Sequence, residues 1–223
     1  MKIIRNIEEY SNFSEILADA AKVFSEKIFL VEEDREYSFD AFNRLVNSCS
    51  RMLASDGVSK GDIVSLVLKN SIDYLILYFA ALRMGCKVNP FPFHLGSEEI
   101  KEKLNFIGPK VVYAHVLHAD SIAAAGLSVK AVQSDKEVIL RKRLQEFSDS
   151  IYPNPDVDPD ETAFLYYSSG TTGSPKIIEY STRSEILAMA SLLRSSFIEP
   201  YSCHLCVLPL GHTAAIRYSI WPC

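Results

Sequence analysis

From residue 38 to residue 113 the chain switches repeatedly between two hydrophobic periods. Phe42, Leu45, Val46, Cys49, Met52 and Leu53 recur at i, i+3, i+4, i+7 spacing, which predicts an amphipathic helix from about Phe39 to Ser55. Ser38 stands where a helix cap belongs, and "SDG" follows, with Gly57 free to take a positive φ and stop the helix. "IVSLVL" (63–68) then reads as a strand. The next helix opens at Ser71 with Asp73 in its first turn and closes at Arg83 and Gly85. It is apolar on nearly every side, so it is expected to be buried.

A short strand at Cys86–Asn89 comes next, then an extended "PFPF" (90–93). A helix capped by Ser97 follows, with Glu98 and Glu99 at its positive end and Ile100, Leu104 and Ile107 facing inward. "GPK" ends it, and "VVY" (111–113) is a strand. The pattern from about His115 to Ser148 is weaker: "KAVQ" suits a strand, and "KEVILRKRLQEF" suits a helix with a charged face. "DSIYPNPDVDPDET" (149–162), with three prolines and five acidic residues, is a surface connection, after which "AFLYY" (163–167) resumes as a strand. Strands alternating with helices of these lengths predict an α/β fold, a layered, mostly parallel sheet flanked by helices.

Composition narrows the function classes. The chain has 223 residues, 48% of them hydrophobic, enough for a proper core. Its net charge of −5 is mild and its basic residues are scattered, which argues against a nucleic-acid partner or an anionic membrane surface. The longest apolar run, "YLILYFAAL" (74–82), is about half a bilayer span, and "MKIIRNIEEY" turns acidic before a signal-peptide core can form. A soluble, cytoplasmic protein without a membrane span is expected. Five irregularly spaced cysteines fit reduced thiols better than a disulfide framework. The "CHLC" at 203–206 has no second ligand pair at metal spacing and is expected to carry buried structural thiols on a strand.

The chemically distinctive stretch is "YYSSGTTGSPKIIEYS" (166–181). Backbone N–H groups can surround a phosphate only where side chains stay out of the way. Here a strand runs into Ser168, Ser169, Gly170, Thr171, Thr172, Gly173 and Ser174, followed by Lys176, whose charge suits an oligophosphate. The spacing is not that of a Walker A loop: the glycines are three apart, Pro175 separates Ser174 from Lys176, and Ile177 stands where a magnesium-binding hydroxyl would be. Composition alone also allows an ordinary polar loop before a helix opened by a capping box of Thr182 and Glu185.

"YYSSGTTGSPK" closely resembles the phosphate-loop signature of the adenylate-forming superfamily, which includes acyl-CoA synthetases, peptide-synthetase adenylation domains and luciferases. Its neighbours agree. "YSFDAFNRLVNSCSRMLASDGVSKGDIVSLVLKNSIDYLILYFAALRMGCKVNPF" is similar to the family's N-terminal stretch, and "SEEIKEKLNFIGPKVVYA" to its next helix and strand. "LPLGHTAA" (208–215) resembles its second binding motif, an aromatic-His pair after "PL". The similarity runs over about residues 26 to 220 in the family's order and spacing.

The resemblance implies an N-terminal portion, residues 1–223, of an AMP-binding adenylation domain of acyl-CoA synthetase-like fold, with the C-terminal subdomains absent. It implies activation of a small carboxylic acid with Mg2+ and ATP to an acyl-adenylate, then transfer to coenzyme A or to the phosphopantetheine of a carrier protein. Thr171, Thr172, Gly173 and Ser174, with Ser168, Ser169 and Gly170 beside them, would hold the β- and γ-phosphates, and Lys176 would balance their charge. His212 would lie near the acyl carboxylate and α-phosphate. No metal ligand is assigned, the main magnesium ligand being expected in the absent part.

Two positions depart from the pattern: Ile177 follows Lys176 where the family usually has glycine, and Gly211 replaces the aromatic residue before the histidine. The second change would leave room for a bulkier or differently shaped acid, or leave a pocket that no longer binds one. The phosphate half of a site alone is expected to be inactive, with the missing half or a second copy as partner. The alternative is a non-catalytic fragment that binds a nucleotide or another chain.

Overall fold

The computed structural model describes residues 6–168, 176–195 and 203–220. After a single 3-10 turn, Asn12 caps α1 (Phe13–Val23) by accepting from the Ser14 N–H. A hairpin of β1 (Ile28–Glu32) and β2 (Arg35–Ser38) precedes α2 (Phe39–Ser55). Ser38 caps α2 through the Ala41 N–H, and Gly57 beyond its end has φ +84°. Then come β3 (Ile63–Val67), α3 (Ile72–Arg83) and β4 (Lys87–Pro90), followed by α4 (Ser97–Ile107), β5 (Val111–His115) and α5 (Val116–Ala124). The described chain continues through β6 (Val129–Gln133), α6 (Ile139–Leu144), β7 (Thr162–Ser168), β8 (Lys176–Ser181) and α7 (Thr182–Ser195). It closes on a turn of helix at Thr213–Ala215 and a π-helical turn at Ile216–Ile220.

The main sheet runs β6-β5-β3-β4-β7-β8, parallel throughout except for the antiparallel edge pair β7–β8. Period-two alternation sends β3 and β5 residues to both faces. Val64, Leu66, Val111 and Tyr113 pack with α1, α2 and α3, whereas Val67, Val112 and Ala114 pack with Ile100 and Leu104 of α4 and Ile122 of α5. The sheet is therefore covered on both sides, as α/β alternation requires. Eleven of the twelve residues of α3 are buried, which explains its lack of a polar face.

Buried polar groups register the central strands. Ser65 donates to Asn89 Oδ1 at 2.8 Å, and Asn89 Nδ2 donates to the Leu165 carbonyl at 2.7 Å, linking β3, β4 and β7. An unpaired amide there would leave a desolvated donor, so Asn89 specifies which strands may neighbour β4. The acidic, proline-rich connection contains no helix or strand from residue 145 to residue 161. It is nevertheless pinned to α2: Arg51 donates to the Ser148, Ser150 and Ile151 carbonyls, and Asn47 to that of Asp149.

The structure revises several expectations. The α4 cap is Gly96 with no side-chain bond, so Ser97 is the first helical residue. The helix expected across 136–147 is confined to six residues, Ile139–Leu144. Ser181, not Thr182, accepts from the Ser184 N–H at the start of α7, and Glu185 turns away from that cap altogether. Residues 203–207 form no strand; Cys203 is exposed and Cys206 half-buried, while Cys49 and Cys86 are the thiols in the core. No described helix is long and apolar enough to cross a membrane.

Candidate functional site

β3 hands the chain to α3 on one face of the sheet, and β4 hands it to α4 on the other. The carboxyl ends of these two adjacent strands therefore splay their connections apart, which is where open α/β sheets form a binding crevice. Two segments meet there: Leu68–Ser71 after β3 and Phe91–Gly96 after β4.

The "LPLGH" loop docks onto this crevice from far along the chain. Asn70 grips it twice: its Nδ2 donates to the Leu208 carbonyl at 2.8 Å, and its Oδ1 accepts from the Leu210 N–H at 2.7 Å. Tyr74, fully buried in α3, donates its hydroxyl to the Leu210 carbonyl at 3.0 Å. The Leu210 side chain is buried, and the His212 N–H donates to the Pro209 carbonyl at 3.0 Å. His212 then starts the short turn at 213–215 with an exposed side chain. Asn70 and Tyr74 thus position His212 without touching it. Ser71 marks the opening of the helix in the sequence, but a partner for Asn70 some 138 residues away leaves no local signal.

Gly211 explains the closeness of this docking. A Cβ at this position would stand 2.3 Å from the Phe91 carbonyl oxygen and 2.6 Å from its carbon. The direction a side chain would take from Gly211 is therefore filled by main chain. Gly211→Ala is expected to lower stability by about 1–3 kcal/mol, because the clashing atoms are backbone and cannot swing aside. A shifted urea midpoint with unchanged slope would register it; a variant as stable as the parent would contradict the packing described.

The glycine and hydroxyl stretch is bounded by two paired strands. β7 and β8 run antiparallel in a register that sets Tyr166 opposite Ile178, Tyr167 opposite Ile177 and Ser168 opposite Lys176. The tyrosines divide between the faces. The Tyr166 and Tyr78 hydroxyls are 3.4 Å apart in one core, while Tyr167 packs edge-on against Phe91 at 5.2 Å and donates to the Lys103 carbonyl at 2.6 Å on the other. Ser168 ends β7 and Lys176, exposed, begins β8. Ser169, Gly170, Thr171, Thr172, Gly173 and Ser174 lie outside the described residues. β8 was not expected from the sequence, since "KIIEY" lacks clean alternation.

The two motif segments are joined behind the site. Both carboxylate oxygens of Glu185, in α7, accept from Arg217, five residues beyond His212; the Nε bond is 2.9 Å, with a second bond from Nη2. The Arg217 guanidinium also lies 4.8 Å from the ring centre of Tyr180 on β8. The hydrogen bonds to Glu185 hold the Arg217 guanidinium above its ordinary pKa. Among the described residues no group of three or more His, Cys, Asp or Glu side chains could hold a metal ion.

Known proteins resemble this chain in sequence and fold. Residues 17–223 match the model of the AMP-binding enzyme family. Long-chain-fatty-acid–CoA ligase FadD13 of Mycobacterium tuberculosis is 29% identical over 193 residues, covering 84% of this chain and 38% of the relative. Medium/long-chain-fatty-acid–CoA ligase FadD6 of the same organism is 26% identical over 92% of this chain and 35% of its own length. The inhibitor-bound crystal structure of the N-terminal domain of FACL13 from M. tuberculosis superimposes with a TM-score of 0.83 at 27% identity, covering 94% of this chain and 54% of that one. The chain thus spans little more than a third of the length of these two curated relatives. Motif order, switch-point docking and a family match over nearly the whole length converge, and the chain belongs to the AMP-binding enzyme family.

Proposed function

We propose that this chain is the N-terminal portion of an adenylate-forming ligase that joins a small carboxylic acid to AMP, with release of pyrophosphate, and then supplies the acyl group to a thiol of coenzyme A or a carrier protein. The observation that carries the reading is the seating of His212 at the switch-point crevice by Asn70 and Tyr74. That crevice is where a parallel sheet binds nucleotides, and the loop that occupies it carries the family's second motif.

In this reading Lys176 balances β- and γ-phosphate charge, and residues 168–174 supply main-chain and hydroxyl donors. His212 offers an imidazole to the carboxylate or the α-phosphate oxygens, so that the two reacting groups are aligned and their repulsion reduced. Magnesium, when bound, would offset charge on the phosphates; the described residues supply no ligand cluster for it, and its ligands are assigned to chain beyond this portion.

Isothermal calorimetry tests the phosphate half directly. ATP is expected to bind this chain, and Lys176→Ala is expected to weaken it by roughly tenfold or more, the loss of one charge-assisted contact. Absence of ATP and pyrophosphate binding would remove the reading. When the chain is joined to a following adenylation half, carboxylate-dependent exchange of pyrophosphate into ATP is expected; nucleotide binding without exchange would favour the non-catalytic alternative.

We also infer that this portion self-associates when alone. A groove of about 730 Å³ lined by Phe29, Val31, Ile72, Leu75, Leu205 and Ile220 runs beside the docked loop. Leu205, in its lining, and Val207, two residues further on, are largely exposed apolar side chains that a second copy could cover. Sedimentation velocity should show weight-average mass rising with concentration, and a monomer at every concentration would refute it.

A further inference from the structure

His94 attracted no role from the sequence, yet the fold sets it beside His212. Their ring centres are 6.3 Å apart and their planes lie within 29° of parallel. The juxtaposition comes from main-chain packing. β4 ends at Pro90, Phe91 presents its carbonyl to Gly211, and the absence of a side chain at Gly211 lets residues 210–212 press onto residues 91–94. Both imidazoles are exposed, and among the described residues neither ring nitrogen pair makes a hydrogen bond. Every other imidazole described in this region is engaged: His115 with Asp135 and the Leu117 N–H, and His118 with the Phe93 carbonyl.

Two near-parallel imidazoles can direct an N–H each toward one volume, across a gap that two hydrogen bonds of about 2.8 Å to a single group can bridge. We propose that His94 is a second anion-contacting residue of the site, forming with His212 a two-imidazole grip on one carboxylate or phosphoryl group. The shared chemistry is an anionic group with two oxygens, offered by the carboxylate of a small acid or by a phosphate of ATP. A divalent cation fits less well, because no third ligand stands within reach among the described residues. The inference rests on the functional reading above only for the identity of the acid; the grip itself is a property of this chain.

The test follows the ring proton resonances of His94 and His212 by NMR in the 223-residue chain. Acetate, malonate, pyrophosphate and ATP are titrated separately, with chloride holding ionic strength constant. Both rings are expected to shift with one shared dissociation constant, in the carboxylate arm or in the phosphate arm, and the arm that saturates names the source. His94→Phe keeps a ring in place but removes the N–H. It is expected to weaken the binding read at His212 about tenfold, the effect of losing one charge-assisted bond. His94→Gln, which retains a donor, is expected to recover part of the loss. Because His94 is exposed, an unchanged thermal melt in both variants is the control for folding.

An unaltered His212 constant in His94→Phe would overturn the proposal, and so would shifts with zinc chloride but with none of the four anions. Calorimetry with ATP and the Lys176→Ala variant separates the two readings. Loss of the two-imidazole effect with ATP binding intact sinks only the grip. Absence of ATP binding with the carboxylate shifts intact sinks only the ligase reading.

Discussion

Arg83→Leu is expected to remove about 3–5 kcal/mol of stability, a large share of what holds a domain folded. Arg83, at the end of α3, is 1% exposed and, among the described residues, has no carboxylate partner. Its charge is spread over neutral oxygens instead. Nε donates to Ser14 Oγ at 2.6 Å, Nη1 to Asn47 Oδ1 at 2.7 Å and to the Asn43 carbonyl at 3.3 Å, and Nη2 to Asn43 Oδ1 at 2.7 Å. These bonds tie α1, α2 and α3 together at the negative end of the α3 dipole, which favours a cation there. Burial lowers the guanidinium to about 10, so it stays charged at neutral pH.

Leucine would fill much of the volume yet leave the Ser14, Asn43 and Asn47 oxygens buried with fewer donors, and each such group typically costs about 1–3 kcal/mol. Asn47 also anchors the connection, accepting from the Tyr152 N–H at 3.0 Å, so residues 149–152 should loosen in the same variant. Arg83→Lys is expected to restore less than half of the loss, because one ammonium cannot reproduce the planar fork. Urea denaturation followed by circular dichroism measures both variants. A leucine variant within about 1 kcal/mol of the parent would mean that the three helices need no such hub.

Glu185→Ala is expected to destabilise by about 2–4 kcal/mol, since it strands a half-buried Arg217 against the Tyr180 ring. Glu185 itself is 2% exposed, so its carboxylate has surrendered hydration that Arg217 replaces. The pair should also show strong coupling: Arg217→Met combined with Glu185→Ala is expected to be more stable than Glu185→Ala alone, because the stranded charge is gone. The effect should be local as well as global. Arg217 follows His212 by five residues, so hydrogen exchange across residues 213–220 is expected to accelerate in Glu185→Ala beyond what the stability loss predicts. Uniform acceleration throughout the chain would show the pair to be simple mortar, without a part in holding the His212 segment.

Much of this molecule was readable from residue order. The α2 and α3 helices, their caps at Ser38 and Ser71, and the stop at Gly57 follow from spacing and capping chemistry contained within a few residues. Alternation of such helices with short apolar strands led to a parallel α/β sheet, and the "YYSSGTTGSPK" and "LPLGH" stretches led to the family. What escaped were elements with weak periodicity, namely the β1–β2 hairpin, α5 and the β8 edge strand, together with α1, an amphipathic helix that lies ahead of the alternating stretch beginning at residue 38.

The tertiary structure alone decided which distant residues serve the site. Asn70 and Tyr74 clasp a loop 136 or more residues away, Glu185 abandons a local cap for Arg217, and Gly211 yields its space to the Phe91 carbonyl. His94 becomes the neighbour of His212 for the same reason. Periodicity and capping are local energies, written in adjacent residues and legible in one sequence. Pairings across the sheet depend on which strand ends converge and on which buried polar groups must find partners, and these are settled only when the whole chain packs.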